Sequence, residues 1–179
     1  MKTEKIIIAG FGGQGSIALG YLLAGAGMYD DLHVSHFPSY GAEMRGGTAN
    51  CSVIISSEEI TSPVMEKATS AIIMNDPSLA KFESRIQPKG LLLLNTDVVQ
   101  TRPVRKDLTV VSLQANQMAE QSGNLMGANI FMGGVYIALT KIATPDSFRR
   151  AIKELFKKKS QKIIDSNIQI FDTALKYKA

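Results

Sequence analysis

Short apolar runs alternate with stretches of helical periodicity along most of the chain. Six runs predict β-strands, at residues 5–9, 32–37, 50–55, 71–74, 91–94 and 109–113. Apolar spacing predicts helices over residues 14–28, from about residue 78, over 114–121, over 128–142, from residue 145 to about 159, and over 161–177. This alternation predicts a single Rossmann-like α/β domain over residues 1–179, with a mainly parallel sheet, helices on both faces and a helical C-terminal part.

Proline and glycine mark the expected ends of several elements. Pro38 is expected to end the second strand, and Pro88 to Gly90 to turn the chain into the fifth. Gly123 is a natural stop after a helix. Thr144 followed by Pro145 predicts a helix start, with threonine as the cap and proline at the first helical position.

Composition narrows the class of protein. Hydrophobic residues make up 45% and charged residues 20%, which is typical of a soluble globular domain. A single cysteine excludes an internal disulfide, and also an iron–sulfur cluster or a cysteine-rich zinc site built by this chain alone. The apolar run near the N-terminus is too short for a signal peptide, and the run over residues 125–142 is too short to span a bilayer. We therefore expect a cytoplasmic protein with no membrane partner.

Basic residues are concentrated in the second half of this chain, whose net charge is +4. They cluster from Arg149 to Lys162, where the polar face of an amphipathic helix is expected, and no aromatic residues interleave with them. A solvated helix face explains this cluster better than a nucleic-acid site, so no nucleic-acid partner is expected.

The stretch Gly10-Phe11-Gly12-Gly13-Gln14-Gly15 matches the G-x-G-x-x-G fingerprint between the first strand and the first helix. Gly10 would permit the tight turn, Gly12 the approach of a pyrophosphate, and Gly15 close packing of helix on strand. The acid that binds the ribose of NAD is missing after the second strand, because Asp30 and Asp31 precede that strand. The turn is therefore interpreted as a site for an anion or phosphate, and the alternative is that its glycines serve only packing or subunit contact.

The loop after the second strand holds a second set of candidate residues. Arg45 can grip a carboxylate or phosphate with two parallel hydrogen bonds, and Gly46 and Gly47 can expose backbone N–H donors. Tyr40 adds a hydroxyl. Ligands of open α/β sheets lie at the carboxyl ends of the strands, so this loop and the glycine turn are expected to converge. The alternative is that Arg45 pairs with Glu43 or a neighbouring chain and only fixes the loop.

No complete catalytic set or metal site is apparent. His33 and His36 are three apart on a predicted strand and so are expected on opposite faces. Cys51 lies in an apolar strand with no histidine or acid at useful sequence spacing, which favours a buried, inert thiol. Catalysis by this chain alone is not expected.

Six motifs follow one another in a recognisable order. They are GFGGQG at 10–15, PSYGAEMRGGTANC at 38–51, TSP at 61–63, MNDPSL at 74–79, GLLLLN at 90–95 and NIFMGGVYIALT at 129–140. Over nearly the whole chain this pattern resembles the gamma subunit of 2-oxoacid:ferredoxin (acceptor) oxidoreductases, which act on pyruvate, 2-oxoglutarate or branched-chain 2-oxoacids. The family usually carries proline where Ala42 stands, which leaves the loop slightly less rigid here.

The resemblance implies the reaction of a 2-oxoacid with coenzyme A to give acyl-coenzyme A, carbon dioxide and reduced ferredoxin or another acceptor. It also implies that thiamine diphosphate, Mg²⁺ and [4Fe–4S] clusters belong to partner subunits, named alpha, beta and in some enzymes a ferredoxin-like delta. This chain would be an accessory subunit that helps to form the coenzyme A region. The short domain favours a 2-oxoglutarate or branched-chain enzyme, and we expect 2-oxoglutarate.

Two other functions fit parts of the sequence. The glycine fingerprint allows a free-standing nucleotide-binding oxidoreductase, with Arg45 reading a 2′-phosphate. Alternatively the chain is a pure assembly module whose Arg45 loop binds only protein. A homodimer of the isolated chain is a further possibility.

Overall fold

A computed structural model describes residues 3–39 and 48–177, which form one six-stranded sheet in the order β2-β3-β1-β4-β5-β6. Strands β1, β4, β5 and β6 are parallel, whereas β3 runs antiparallel to both β1 and β2. The mainly parallel sheet is therefore confirmed. The strands are β1 (Thr3–Phe11), β2 (His33–Ser39), β3 (Thr48–Ser56), β4 (Ala68–Ile73), β5 (Ile86–Asn95) and β6 (Thr109–Leu113).

Helices cover both faces of the sheet, as the sequence predicts. Helices α1, α3 and α4 lie on one face, with α5 against α1 and α6 against α4 as a C-terminal outer layer. Helix α2 lies on the other face, followed by a 3-10 turn at Glu83–Arg85. The helices are α1 (Ser16–Tyr29), α2 (Asp76–Phe82), α3 (Ala115–Gln121), α4 (Ala128–Thr140), α5 (Pro145–Leu155) and α6 (Gln161–Leu175).

The apolar run of β1 is continuous because the strand is buried on both faces. Ile6 and Ile8 belong to the core under α1 and α4, whereas Ile7 and Ala9 belong to the smaller core under α2. Side chains alternate along a strand, so a central strand between two helical layers needs apolar residues at every position. Burial of these side chains fixes the register of the strand that carries the glycine turn.

Two strand boundaries predicted from proline are wrong. Pro38 does not end β2 but lies within it, paired with Cys51. Proline has no backbone N–H, but β2 is an edge strand of the described sheet with no neighbour on its outer side, so no hydrogen bond between strands is lost there. The fifth strand begins at Ile86, before the turn predicted at Pro88 to Gly90. There the pairing with β4 shifts register, and Lys89 takes a φ of 62°, so the expected turn is a bulge inside the strand.

The predicted start of α5 is confirmed. The Thr144 side chain accepts a hydrogen bond from the Ser147 N–H, and Pro145 begins the helix. Asp30, at the end of α1, accepts further bonds from the Thr144 N–H (2.5 Å), the Thr144 hydroxyl (2.8 Å) and the Ser147 hydroxyl (2.5 Å). The acid thus joins α1 to α5.

The basic segment and the helices also bear on the expected environment of the protein. Lys157, Lys158 and Lys159 are exposed, but they lie in the turn after α5 and not on the predicted helix face, because α5 ends at Leu155; Lys162 is exposed on α6. Across residues 3–39 and 48–177, no helix is both long enough and apolar enough to cross a bilayer.

Candidate functional site

A small cavity opens at the carboxyl edge of the sheet, where the chain order changes direction. After β1 the chain passes through α1 to β2, which lies on one side of β1 in the sheet. Strands β4, β5 and β6 lie on the other side of β1. Open α/β sheets bind ligands at such a switch point. The cavity has a volume of about 170 Å³ and is lined by Gly13, Gln14, Met74, Asn95, Asn116, Leu125, Met126 and Ala128. We call it the amide notch, after its three carboxamide side chains.

The glycine turn forms one wall of this notch. Gly13 and Gly15 have φ values of 97° and 77°, a region that strongly favours glycine. Gly10 is still part of β1, so it does not form the turn as the fingerprint suggests. A Cβ atom at Gly10 would lie 2.6 Å from Gln14 Oε1 and 3.0 Å from Met74 Cβ. Glycine is therefore needed at Gly10 for close approach of side chains.

Gln14 closes the turn from within. Its Oε1 atom accepts a hydrogen bond from the Phe11 N–H at 2.5 Å, and its own N–H donates to the Phe11 carbonyl at 3.1 Å. Gly12 and Gly13 are exposed, and their N–H groups have no partner among the residues that the structure describes. Two of the turn's amides thus remain available to an external acceptor.

At Gly15 the nearest side chain belongs to a helix, whereas the fingerprint predicts close packing of helix on strand. The Asn129 Nδ2 atom, at the start of α4, donates to the Gly15 carbonyl at 3.1 Å. A Cβ atom at Gly15 would lie 2.8 Å from Asn129 Cγ. The Ser16 hydroxyl donates to the Ala49 carbonyl at 3.1 Å, which ties the first residue of α1 to β3. The turn is therefore held between α4 and β3.

The two asparagines of the notch were not identified from the sequence. Asn95 ends β5, and its Nδ2 atom donates to Asn116 Oδ1 at 2.8 Å. Asn95 Oδ1 accepts from the Asp97 N–H at 3.3 Å, and Asp97 in turn accepts from the Gln117 N–H at 3.0 Å. The sequence feature that could have indicated Asn95 is its position directly after the fully apolar run of residues 91–94. Among the residues that the structure describes, the notch lining contains no charged side chain, so these residues offer hydrogen bonds to a neutral group.

Tyr40, Arg45, Gly46 and Gly47 lie outside the described residues. The residues on either side of them are placed: Ser39 pairs with Asn50, and Thr48 pairs with Phe11. Both ends of the loop are therefore attached at the carboxyl edge of the sheet, beside the glycine turn.

His36 and Cys51 come together although the sequence suggested no histidine near the thiol. Both side chains lie against Gly20 of α1, where a Cβ atom would be 2.7 Å from His36 Nε2 and 2.5 Å from Cys51 Sγ. Burial raises the pKa of Cys51 to about 12, and burial lowers the pKa of His36. Both groups are thus neutral at pH 7, and the buried, inert thiol predicted from the sequence is confirmed.

His33 is exposed, whereas His36 packs against α1. Within residues 3–39 and 48–177, no three histidine, cysteine or acidic side chains form a group that could hold a metal ion. The described part of the chain therefore offers ligand-binding groups but no metal centre.

Comparison with protein families gives one match over most of the chain. Residues 5–177 match the family described as pyruvate ferredoxin/flavodoxin oxidoreductase. The ketoisovalerate oxidoreductase subunit VorA of Methanothermobacter marburgensis is 36% identical over 96% of this chain, but the chain spans only 36% of VorA. The 2-oxoglutarate synthase subunit KorC of Methanocaldococcus jannaschii is 32% identical, over 83% of this chain and 81% of KorC.

Two solved structures share the fold. The gamma subunit of a keto/oxoacid ferredoxin oxidoreductase from Geobacter sulfurreducens superposes with a TM-score of 0.81, covering 96% of both chains at 24% identity. A 2-oxoglutarate:ferredoxin oxidoreductase from Magnetococcus marinus, solved with 2-oxoglutarate, coenzyme A and succinyl-CoA bound, gives a TM-score of 0.87. That match covers 97% of this chain and 30% of the other, at 22% identity. With the family match over residues 5–177 confirming the resemblance of its motifs, the chain belongs to the pyruvate ferredoxin/flavodoxin oxidoreductase family.

Proposed function

We propose that this chain is the gamma-type subunit of a cytoplasmic 2-oxoacid:acceptor oxidoreductase complex. The complex would convert a 2-oxoacid and coenzyme A into acyl-coenzyme A, carbon dioxide and reduced ferredoxin or another acceptor. The observation that carries the proposal is the family match over residues 5–177. Alpha and beta subunits, with a delta subunit where one exists, would hold thiamine diphosphate, Mg²⁺ and the [4Fe–4S] clusters.

The contribution of this chain would be a rim that binds anionic groups of coenzyme A. The exposed Gly12 and Gly13 amides supply hydrogen-bond donors, and the nearby N-terminus of α1 supplies partial positive charge. Helix α1 has no acidic residue in its first turn that would compete for this position. A phosphate group of coenzyme A is a suitable acceptor for such donors.

Arg45 would add a full positive charge to this rim. It is three residues before Thr48, and a peptide chain spans at most roughly 3.3–3.6 Å per residue. Thr48 in turn pairs with Phe11, at the base of the glycine turn. A guanidinium on this loop is therefore within reach of a ligand seated on the Gly12 and Gly13 amides.

The alternative of a free-standing NAD- or NADP-dependent enzyme has less support from the geometry. Gln14 Oε1 already accepts the Phe11 N–H, so one amide of the fingerprint is used internally. The carboxyl end of β2 carries Ser39 where an NAD site has an acid, and Asp30 is engaged by Thr144 and Ser147. Titration calorimetry with NAD and NADP tests this alternative, and we expect no binding at millimolar cofactor.

Reconstitution tests the main proposal. The purified chain is mixed with separately expressed alpha and beta subunits, and reduction of ferredoxin or a dye acceptor is followed with and without coenzyme A. We expect coenzyme A-dependent reduction only when this chain is present. Full activity of the alpha–beta mixture alone would contradict the proposal.

Arg45→Ala separates ligand binding from assembly. If Arg45 binds coenzyme A, the variant raises KM for coenzyme A while the complex stays assembled in sedimentation velocity. If the chain is only an assembly module, the variant dissociates the subunits and leaves KM unchanged in whatever complex remains. Arg102→Ala, an exposed arginine in a different loop, is the matched control and should behave as wild type.

For the 2-oxoacid we propose 2-oxoglutarate. The KorC relative is a subunit of a 2-oxoglutarate synthase, and it aligns with 83% of this chain and with 81% of its own length. Parallel assays with 2-oxoglutarate, pyruvate and ketoisovalerate decide the point. A higher kcat/KM for ketoisovalerate or pyruvate would assign the substrate differently and leave the role of this chain intact.

A further inference from the structure

Two strongly exposed apolar side chains stand at the mouth of the amide notch. Leu125 and Met126 are 74% and 78% exposed, and both line the notch on one side. On their other side they line a second hollow of about 260 Å³, together with Ile163. We call Leu125 and Met126 the Leu-Met ridge. Phe11, 44% exposed at the end of β1, lies at the same edge of the sheet.

The fold holds the Leu-Met ridge in place. The Asn124 N–H donates to the Ala119 carbonyl at 2.9 Å, and the Gly127 N–H donates to the Asn124 carbonyl at 2.8 Å. The Asn124 side chain also donates to the buried Asn167 of α6 at 2.8 Å. Gly123 takes a φ of 69° to start this turn. Both ends of the turn are thus bonded to the helical layer, and the two apolar side chains are carried outward on an ordered backbone.

We infer that the Leu-Met ridge is the contact through which a separate catalytic partner subunit closes the amide notch. The inference rests on the proposed function, in which the reactive half of the cleft belongs to that partner. Such a partner must approach the carboxyl edge of the sheet, where the ridge and the notch share residues. Its matching surface would be an uncharged apolar hollow that receives Leu125 and Met126.

The relatives favour this occupant over a second copy of the chain. In VorA and in the Magnetococcus marinus chain, the matching region makes up only 36% and 30% of the polypeptide. In those proteins the domain therefore always occurs together with a larger protein part. A separate subunit corresponding to that part would need a contact next to the shared cleft, and the ridge provides one.

The chemistry of the ridge suits this role. Burying exposed apolar side chains at the centre of a contact stabilises association, and the surrounding contacts exclude water. Exclusion of water strengthens the hydrogen bonds that the neutral notch offers to a ligand. The ridge would thus couple assembly to completion of the site.

A fluorescent probe on the ridge tests the inference directly. Cys51 is buried with a thiol pKa of about 12, so Met126→Cys introduces the one reactive thiol of the described chain. Labelled with an environment-sensitive dye, this variant should show a blue shift and protection from iodide quenching when the alpha and beta subunits are added. An unchanged spectrum in the assembled complex would overturn the inference.

Val104→Cys is the matched control for exposure. Val104 is 79% exposed and precedes Arg105, whose guanidinium donates to the carbonyls of Glu83 and Ile86 at the amino end of β5. A dye at this position should keep its spectrum on assembly, because it lies away from the carboxyl edge.

The double variant Leu125→Ser/Met126→Ser measures how much the Leu-Met ridge contributes to the affinity for the partner subunits. We expect it to keep the melting temperature of the wild type and to bind the partner subunits at least about tenfold more weakly. Equal affinity of the wild type and the double variant for the partner subunits would overturn the inference. A weaker self-association of the double variant would also overturn it, because the ridge would then contact a second copy of this chain. If the labelled Met126→Cys chain buries its probe on assembly, but the complex assembled with the wild-type chain shows no coenzyme A-dependent activity, only the proposed function is refuted.

Discussion

The side-chain oxygen of Gln14 accepts a hydrogen bond from the backbone N–H of Phe11 at 2.5 Å, so residue 14 closes the turn between β1 and α1. The bond places an amide group at the N-terminal end of α1, beside the exposed Gly12 and Gly13 amides. A charge introduced at residue 14 by substitution should therefore influence both the stability of α1 and the binding of an anion.

Gln14→Glu should have opposite effects on stability and on ligand binding. The carboxylate keeps an acceptor for the Phe11 N–H, and its negative charge at a helix N-terminus leaves the free energy of unfolding unchanged or raises it by about 0.5 kcal/mol. The same charge repels a phosphate, so KM for coenzyme A in the reconstituted complex should rise on the order of tenfold. Gln169→Glu on exposed α6 carries the same charge change and should leave KM as it is. Equal KM values for the two variants would argue against an anion at the turn.

Gly15→Ala should destabilise the fold more than Gly13→Ala. Both glycines have positive φ, so alanine at either position costs roughly 1–2 kcal/mol in backbone strain. At Gly13 a Cβ atom meets nothing within 4 Å, whereas at Gly15 it displaces the Asn129 side chain that bonds the Gly15 carbonyl. We expect an additional loss of about 1 kcal/mol for Gly15→Ala in urea denaturation. Equal losses would mean that the contact with α4 adds nothing.

Asp30 should make stability depend on pH in the acid range. Burial is the largest influence and favours the neutral acid, but hydrogen bonds from Ser147 and Thr144 outweigh it and keep the pKa of Asp30 below its usual 3.8. A depressed folded-state pKa stabilises the native state above the unfolded pKa, and this contribution is lost as pH falls through the folded pKa.

Asp30→Asn should therefore lower the free energy of unfolding by about 1 kcal/mol at pH 7, and its difference from wild type should shrink below pH 4. Urea denaturation between pH 2.5 and pH 7 measures this difference. Asp31→Asn, at the exposed neighbouring position, is the control. A constant difference across this pH range would contradict the assigned role of Asp30.

Tyr136 should contribute to stability through its hydroxyl. This fully buried phenol contacts Glu4 Oε2 at 3.0 Å and Ser70 Oγ at 2.9 Å, and so links α4 to β1 and β4. Burial, with the nearby Glu4 charge, raises the pKa of Tyr136 well above 10 and keeps the phenol neutral. Tyr136→Phe should cost about 1–2 kcal/mol in chemical denaturation, because Ser70 Oγ loses its partner at 2.9 Å and keeps only the longer contact with Glu4 Oε2 at 3.4 Å. Tyr21→Phe, at a half-exposed tyrosine, should change stability by less than about 0.5 kcal/mol.

Cys51 should react with thiol reagents only when the protein unfolds. Its side chain is fully buried, and burial raises its pKa to about 12, so almost no thiolate is present at neutral pH. The disulfide reagent 5,5′-dithiobis(2-nitrobenzoate) should label the native chain at least about a hundredfold more slowly than the chain in 6 M guanidinium chloride. Rapid labelling of the native protein at pH 7 would contradict the burial of this thiol.

The elements of the fold follow from local patterns. All six strands and six helices predicted from apolar spacing are present, because burial on one or both faces imposes a period that any short window of sequence displays. The stop at Gly123 and the cap at Thr144 also depend only on neighbouring residues. The errors at Pro38 and Pro88 arose where strand position decided the outcome: an edge strand tolerates proline, and a bulge absorbs a turn sequence.

The candidate site was only partly predictable. The sequence placed Gly12, Gly13 and Gln14 at the carboxyl edge of the sheet, because a strand followed by glycines and a helix shows where the chain reverses direction. It did not locate Asn95, Asn116 or the Leu-Met ridge, because these residues reach the notch from β5, α3 and the turn before α4. Their approach depends on how the helices pack on the sheet.

The sequence by itself determined the α/β class, the order of the elements, the resemblance to the family and the position of a glycine-rich turn after β1. Only the tertiary structure decided that Asn129 holds Gly15, that Asp30 joins α1 to α5 through Thr144 and Ser147, and that His36 lies beside Cys51. The physical reason is that periodicity and capping act between residues a few positions apart. Contacts between residues that are distant in the sequence are fixed only when the whole core packs at once.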